Sequence, residues 1–527
     1  MEQQPLKVAR WLPYPFVFVG MALLVSGCRQ AHDKSASAVI NQRSKSPHHA
    51  IATSSPDAQR EFDQGLMLIY AFDSDEAIRS FERAAQLDPQ ASMPHWGIAL
   101  ALGPSLNDPE MQGRMPRAFA EIERAVQSAR DESALEQDYT QALAARYTRS
   151  DIFDLKQLSA TYANAMRQLS AKYPRDADAA TLLAESLMLA WGWPVWTEDG
   201  RPGDGIEEAI RVVESVLARE PQHIGANHYH IHLLDSSPTP ERALQSARQL
   251  DALDTDSGHL RHMPSHVYMR LGDYSAAVAS NLKAVAADTG HRDEHGEIGV
   301  NAKLRRHSRK FLAAAASMTG QFEVARQADE SLFVLLRFRR WDDVLARPAP
   351  KDSGSILEWR IARVLALIGK RMLKEAEAER NEYGEAERAL PEGTFWRSDP
   401  IEKVLPLARS EMAARFAWVR GDKAGAIRQW KRAVESEDQL TREEAVMPWF
   451  HPVRESLGAA LYLDGQLAEA ERVFREDLKI DRANGRSLFG LWHSLQAQGR
   501  MSEAQTVRQQ FEKAWKDADV QLSMEGL

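Results

Sequence analysis

Four histidines stand at a spacing that can do chemistry. His228 and His232 are four residues apart, and His262 and His266 repeat the pair thirty-four residues later. Four residues of separation on a helix put both rings on one face. His-x-x-x-His can then chelate a divalent transition metal through imidazole nitrogens, with zinc, copper, iron or manganese as candidates. His259, three residues before His262, shares its face, whereas His230 lies about 160° round from His228 and should point away. Equivalent positions of two stacked helical units would bring the four imidazoles together. The alternatives are core histidines with ordinary hydrogen-bond partners, and a pair copied by repeat duplication without a role and without a cofactor. Pro264 also disfavours helical geometry at Met263, between the second pair.

The elements that must position these rings are helices. Ala, Leu, Glu, Arg and Gln dominate the chain, strand formers are sparse, and 44% of its 527 residues are apolar, enough for a substantial core. A period of thirty-four residues relates the segments beginning at Gly465 and Gly499, the pair Leu457 and Leu491, and the pair Ala243 and Ala277. Glycine between two amphipathic segments, with small residues at the contacts, resembles the tetratricopeptide repeat (TPR). Phe72 to Pro89, Leu271 to Ala287 and the segment around Gly320 are further copies, and Gly421 with Ala424 and Ala426 a looser one. The fold expected is all-α, a TPR-like α-α superhelical solenoid in which each hairpin buries its apolar faces on the next.

That resemblance implies that the histidine phases line a concave groove. The preceding repeat then places Glu185 and Thr181 at the same phases, so Glu185, His228, His232, His262 and His266 form the candidate metal set. Thr181, His259, His307 and Lys310 are additional groove candidates. The tryptophans Trp191, Trp193 and Trp196 lie in a Gly- and Pro-rich insert that would either wall the groove or wedge the insert onto the solenoid. The charged segment from His291 to Glu297 reads as another loop. His451, beside two aromatic residues and between two prolines, reads as the entry to the penultimate repeat, with a second site as the alternative.

The N-terminus has a different character. Lys7 and Arg10 precede an apolar stretch from Phe16 to Val25, then Ser26, Gly27 and the chain's single cysteine, Cys28. This has the layout of an export signal too short to span a bilayer as a mature helix. Val25 to Cys28 resembles the lipobox of bacterial lipoproteins, which implies lipidation of Cys28. With Arg29 following, it implies an exported protein anchored at the outer membrane and facing the periplasm. The organisation expected is a signal at 1–27, a polar tether at 28–56 carrying His48 and His49, an N-terminal array at 57–340 and a C-terminal array at 341–520.

A net charge of −9 without long basic runs excludes nucleic acid as a partner. One cysteine excludes intrachain disulfides, thiolate zinc knuckles and iron-sulfur clusters. No phosphate-binding glycine loop or nucleophile elbow is present. The strings from Gly225 to His232 and from Gly258 to Tyr268 resemble those of a largely uncharacterised family of bacterial TPR lipoproteins with N-H-Y-x-I-H and H-x-x-H-M-P-S-H motifs. Where that family tends to carry H-N-x-H, this chain has His307 to Lys310, H-S-R-K. Three functions remain open: a cell-envelope scaffold binding a protein, peptide or small ligand in the His/Glu groove; a metal-dependent enzyme using the same residues; and a metal-storage or pH-sensing module.

Overall fold

The left-handed backbone position between paired helices shows how this sequence builds its repeats. In the computed structural model, which describes residues 48–111, 113–150, 152–290, 300–442 and 446–527, glycines at 272, 320, 421, 465 and 499 all have φ between 73° and 85°. Five residues beyond each lies a buried alanine: Ala277, Ala325, Ala426, Ala470 and Ala504. The residue after each glycine donates its N–H back to the preceding helix, as Asp273 does to Tyr268 O at 2.9 Å and Gln466 to Leu461 O at 2.9 Å. This satisfies a terminal carbonyl and reverses the chain. The alanine lets the second helix lie close on the first. Phe72, Arg339 and Arg371 occupy the same turn position with φ of 58°, 56° and 61°, a conformation costly for side chains with a Cβ.

Hairpins built this way stack in chain order. The pairs Pro56–Tyr70 with Ser74–Leu87, Leu155–Lys172 with Ala177–Trp191, Ile401–Val419 with Lys423–Glu437, and Gly485–Ala497 with Met501–Ala514 each pack together and against their neighbours. Glycines at the helix contacts make room for rings. Phe81 fills the notch between Gly65 and Gly97, and Phe474 fills that between Gly458 and Gly490. The fold is an all-α solenoid, and the one sheet among the described residues is a two-stranded ribbon pairing Phe395–Trp396 with Asp399–Pro400. No described helix is long and apolar enough to cross a membrane.

The superhelix is tightly wound. Helix Pro56–Tyr70 reaches helix Ile224–Leu234, and Gly225 sits where any Cβ would run into the Tyr70 ring. At the other end, Trp515 covers Gly320, and the Asp519 carboxylate accepts from Phe322 N at 2.7 Å and Glu323 N at 2.9 Å. Interior contacts bridge the segment from Arg340 to Pro350, for Arg337 on one side of it is paired with Glu455 on the other.

Cys28 and the export signal lie outside the described residues, as do His291 to Glu297. The tether, however, ends earlier than expected, because His49 is buried and bonded through Nδ1 to Asp178 Oδ2 at 2.9 Å. Ile51 is buried as well, and Ala52 N donates to Glu136 Oε1 at 2.6 Å. Backbone and ring bonds thus fix this strap onto the helices, and it is no solvated linker.

Candidate metal centre

Pro264 interrupts the helical hydrogen-bond ladder without turning the chain. Gly258–His262 and Pro264–Leu271 are joined through Met263, whose φ of −52° and ψ of −38° are helical. His262 therefore keeps the face of His266, and their Nε2 atoms lie 3.0 Å apart. On helix Ile224–Leu234 the His228 and His232 Nε2 atoms are likewise 3.0 Å apart.

The imidazoles assemble as two triads. His259 Nε2 comes within 3.1 Å of His228 Nε2, completing the group His228, His232, His259. His307 Nε2 lies 3.5 Å from His266 Nε2, completing the group His262, His266, His307. Within each group one ligand atom per residue lies within 4.8 Å of the others. The groups adjoin, with ring centroids 6.2 Å apart for His259 and His262 and 6.4 Å for His232 and His266. Three nitrogens about 2.0–2.1 Å from one ion stand about 2.9–3.4 Å apart for coordination angles between square and tetrahedral. The contacts of 3.0–3.1 Å have that spacing, and that of His307 with His266, at 3.5 Å, is slightly longer.

The partners of the opposite ring nitrogens fix the chemistry further. His228 Nδ1 faces the Tyr70 carbonyl at 2.6 Å, which can only accept, so the proton is on Nδ1 and Nε2 carries the lone pair. His262 Nδ1 faces Asn281 Oδ1 at 2.6 Å, and the Asn281 amide is oriented by its own donation to Ala277 O at 2.8 Å. His266 Nδ1 faces Asp235 Oδ2 at 3.3 Å. Three Nε2 lone pairs are thereby aimed into the triads by backbone, amide and carboxylate acceptors, the arrangement that orients metal-binding histidines. The contact between His262 and His266 is then lone pair to lone pair. It is repulsive unless a cation lies between the two nitrogens.

Burial opposes a proton on five of the six rings. Burial pushes His228 and His307 down to about 3, and pushes His232, His259 and His262 well below the ordinary imidazole range. Burial works against the charge of Asp235 too, yet Arg270, 3.1 Å away, and His266 hold its carboxyl well below the usual range. Asp235 is thus an anion beside the second triad.

A phenylalanine ring shields each triad. Phe72 has its centroid 4.5, 5.5 and 5.4 Å from those of His228, His232 and His259. Phe311 stands 4.9, 4.5 and 4.7 Å from His262, His266 and His307. Phe72 reaches its place from the strained turn position that other repeats give to glycine, so backbone strain and the candidate site coincide. Trp193, from the insert, sets its edge on the His232 ring at 6.1 Å, while Trp196 Nε1 bonds Leu233 O at 2.7 Å and fastens the insert down.

Several sequence expectations are corrected by this geometry. Glu185 joins neither triad. It lies with Arg146, Tyr147, Tyr162 and Tyr229, to which its charge couples, because its helix Ala177–Trp191 turns that face toward the N-terminal repeats. Thr181 spends its hydroxyl on Ala177 O of its own helix at 2.7 Å. Lys310 is exposed, acting on His307 only by its charge. The rings do not line an open groove, since the tightly wound superhelix buries five of them, with His228 and His262 at 0% exposure, and leaves His307 half-buried. His259 and His307 are members of the triads and no mere accessories. His230 turns away to Ser246 Oγ at 2.9 Å, and His451 is a core residue 3.2 Å from Glu411 Oε1.

A third group, His49, Asp176 and Asp178, lies behind the first triad. Tyr70 links the two, for its hydroxyl donates to Asp178 Oδ1 at 2.5 Å while its carbonyl holds His228. His223 accepts from Ala226 N through Nδ1, which leaves its Nε2–H to face Asp178 at 3.2 Å. These bonds fix the helix end that orients His228.

No protein-family model matches the chain, and no curated protein does. Among solved structures the chain is similar to the TPR domain of P58(IPK), at 11% identity over 87% of this chain and 98% of that one, with a TM-score of 0.21. It is similar to yeast Tom70, at 13% identity over 88% and 92%, with a TM-score of 0.25. It is also similar to Naa15/Naa10 bound to HypK-THB, at 11% identity over 88% and 90%, with a TM-score of 0.23.

Proposed function

We propose that this solenoid is a metalloprotein holding two transition-metal ions side by side, one on His228, His232 and His259 and one on His262, His266 and His307. The observation that carries this reading is the 3.0 Å approach of His262 and His266 Nε2, each ring having its Nδ1 turned to an acceptor. An all-imidazole donor set favours copper, zinc or iron and disfavours manganese, which prefers carboxylate and water oxygens. Three protein ligands per ion leave room for a hydroxide or another small exogenous ligand, as in catalytic rather than closed structural sites. Phe72 and Phe311 would keep each centre dry and Asp235 would offset part of the second ion's charge.

Metal analysis of the full-length chain, produced without a histidine tag, tests this. Two equivalents of copper, zinc or iron are expected, falling to one in either His228→Ala or His262→Ala. Less than a tenth of an equivalent after loading with each of these metals would refute the reading. Placement at the cell envelope is part of the proposal and rests on the segment from Lys7 to Cys28. Loss of lipid labelling in Cys28→Ser is the expected result, and an unlabelled parent chain would overturn it.

A further inference from the structure

Four residues the metal reading does not use share an unusual condition. Arg146, from the segment after helix Ala134–Ala144, is 2% exposed, Tyr162 1%, Glu185 4% and Tyr229 0%. Arg146 donates from Nη2 to the Pro104 carbonyl and lays its guanidinium on the Tyr162 ring at 4.9 Å. Its Nε and Nη1 make no well-formed hydrogen bond, although the Tyr147 hydroxyl lies beside the guanidinium and interacts with it, and the Tyr162 and Tyr229 hydroxyls and Glu185 Oε2 have no partner. Arg146 and Glu185 attract each other, yet no hydrogen bond joins their orphaned atoms. Gly103 adds a constraint, since a Cβ there would stand 2.8 Å from Arg146 Nη1. The loop backbone presses directly on the guanidinium.

A buried guanidinium with two unbonded nitrogens and two unpaired buried hydroxyls are each costly. Four segments of the chain converge to place them together, and nearly all the orphaned groups are donors. What would satisfy them at once is a planar acceptor with one negative charge. We propose that Arg146, Tyr162 and Tyr229, with Glu185 opposite, form a binding site for a small carboxylate anion of the size of formate or acetate. Arg146 pairs with its charge and the tyrosines donate to its oxygens. Burial pushes Glu185 up to about 7 against the pull of Arg146. Below about pH 7 the protonated acid leaves the cation uncompensated and adds a fifth donor. A dianion such as phosphate would exceed the single positive charge available. Tyr229 also touches the first triad, with its ring centroid 5.5 Å from that of His228, so the anion would sit one ring away from those imidazoles. The proposal does not depend on metal there.

Titration of the full-length chain with sodium formate and sodium acetate, against sodium chloride at equal ionic strength, tests it by calorimetry and by the thermal midpoint. Saturable binding of at least one carboxylate is expected, with about tenfold or greater loss in Tyr162→Phe and in Tyr229→Phe, each of which removes only a hydroxyl. Arg146→Met should abolish binding where it folds. Metal content should stay at the parent value in the tyrosine variants, which separates this site from the triads. Absence of a saturable carboxylate response, or unchanged affinity in both tyrosine variants, would overturn the proposal and leave a water-filled polar cluster.

Discussion

Replacing Asn281 by leucine should weaken one metal site and spare the other. Asn281 is fully buried, and its Oδ1 is the acceptor that holds the proton on His262 Nδ1 at 2.6 Å. Leucine keeps the branched shape in a larger side chain and offers no acceptor, so His262 Nδ1 is left with only the Ser265 hydroxyl at 3.3 Å, which can serve either tautomer. The other tautomer can donate from Nε2 to His266 Nε2 across 3.0 Å and would close the site to a cation. Loss of such an orienting partner costs about 10–100-fold in metal affinity, or about 1.4–2.8 kcal/mol. The first triad is oriented by the Tyr70 carbonyl, which a side-chain substitution on another helix cannot remove. Competition with a chelator of known affinity should therefore give two classes of site in Asn281→Leu, one at the parent affinity and one about 10–100-fold weaker. Equal weakening of both sites, or no change in either, would refute the tautomer reasoning.

Other outcomes rest on the same structure. The folded chain keeps His228 neutral down to about pH 3, whereas the unfolded chain takes up this proton below about pH 6.5. Its contribution thus falls by about 1.4 kcal/mol per pH unit below 6.5. Glu437, pushed by burial up to about 8, acts in the opposite sense, so the histidine term must be read by difference. The metal-stripped His228→Leu variant should gain about 1.4 kcal/mol on the parent in urea unfolding between pH 7.5 and 5.5, and parallel curves would contradict this. Phe72→Gly should be more stable than Phe72→Ala by about 1 kcal/mol, because φ of 58° strains any Cβ; equal midpoints would show that the turn relaxes. Glu455→Ala should cost about 3–5 kcal/mol in chemical denaturation, since it strands the buried Arg337 guanidinium. A loss under about 1 kcal/mol would mean that solvent reaches that pair.

The helical repeat was legible because it is a local signal. Glycine followed five residues later by alanine encodes a left-handed turn and a close helix contact, and both recur with the same geometry from Gly272 to Gly499. The pairs His228 with His232 and His262 with His266 were legible for the same reason, as four-residue spacing fixes a shared face. The third member of each triad, His259 or His307, was legible only as an additional groove candidate and not as a ligand. His307 lies forty-one residues after His266, out of phase with the repeat, because the charged segment shifts the helix Val300–Met318 along the chain. His259 Nε2 meets His228 across two helices, a distance set by their crossing and not by spacing. Glu185 was misplaced by treating its repeat as a regular copy, when the long insert after Trp191 reorients the next hairpin. Tyr70 could not have been found at all, because its role belongs to a main-chain carbonyl 158 residues from the ring it holds.

That remote carbonyl gives the first triad a sense of order in time. Helix Pro56–Tyr70 is the opening segment of the solenoid, yet the ring it steers emerges much later in synthesis, and His259 later still. An ion bound there would fasten the start of the coil to a much later turn, as a clasp closes a bracelet, and would keep the first hairpins from peeling away alone. Because it is held by the wound chain and not by the unwound one, each bound ion stabilises the closed form by mass action. Susceptibility of the leading hairpins to proteolysis should then rise and fall with metal supply while the C-terminal repeats remain indifferent.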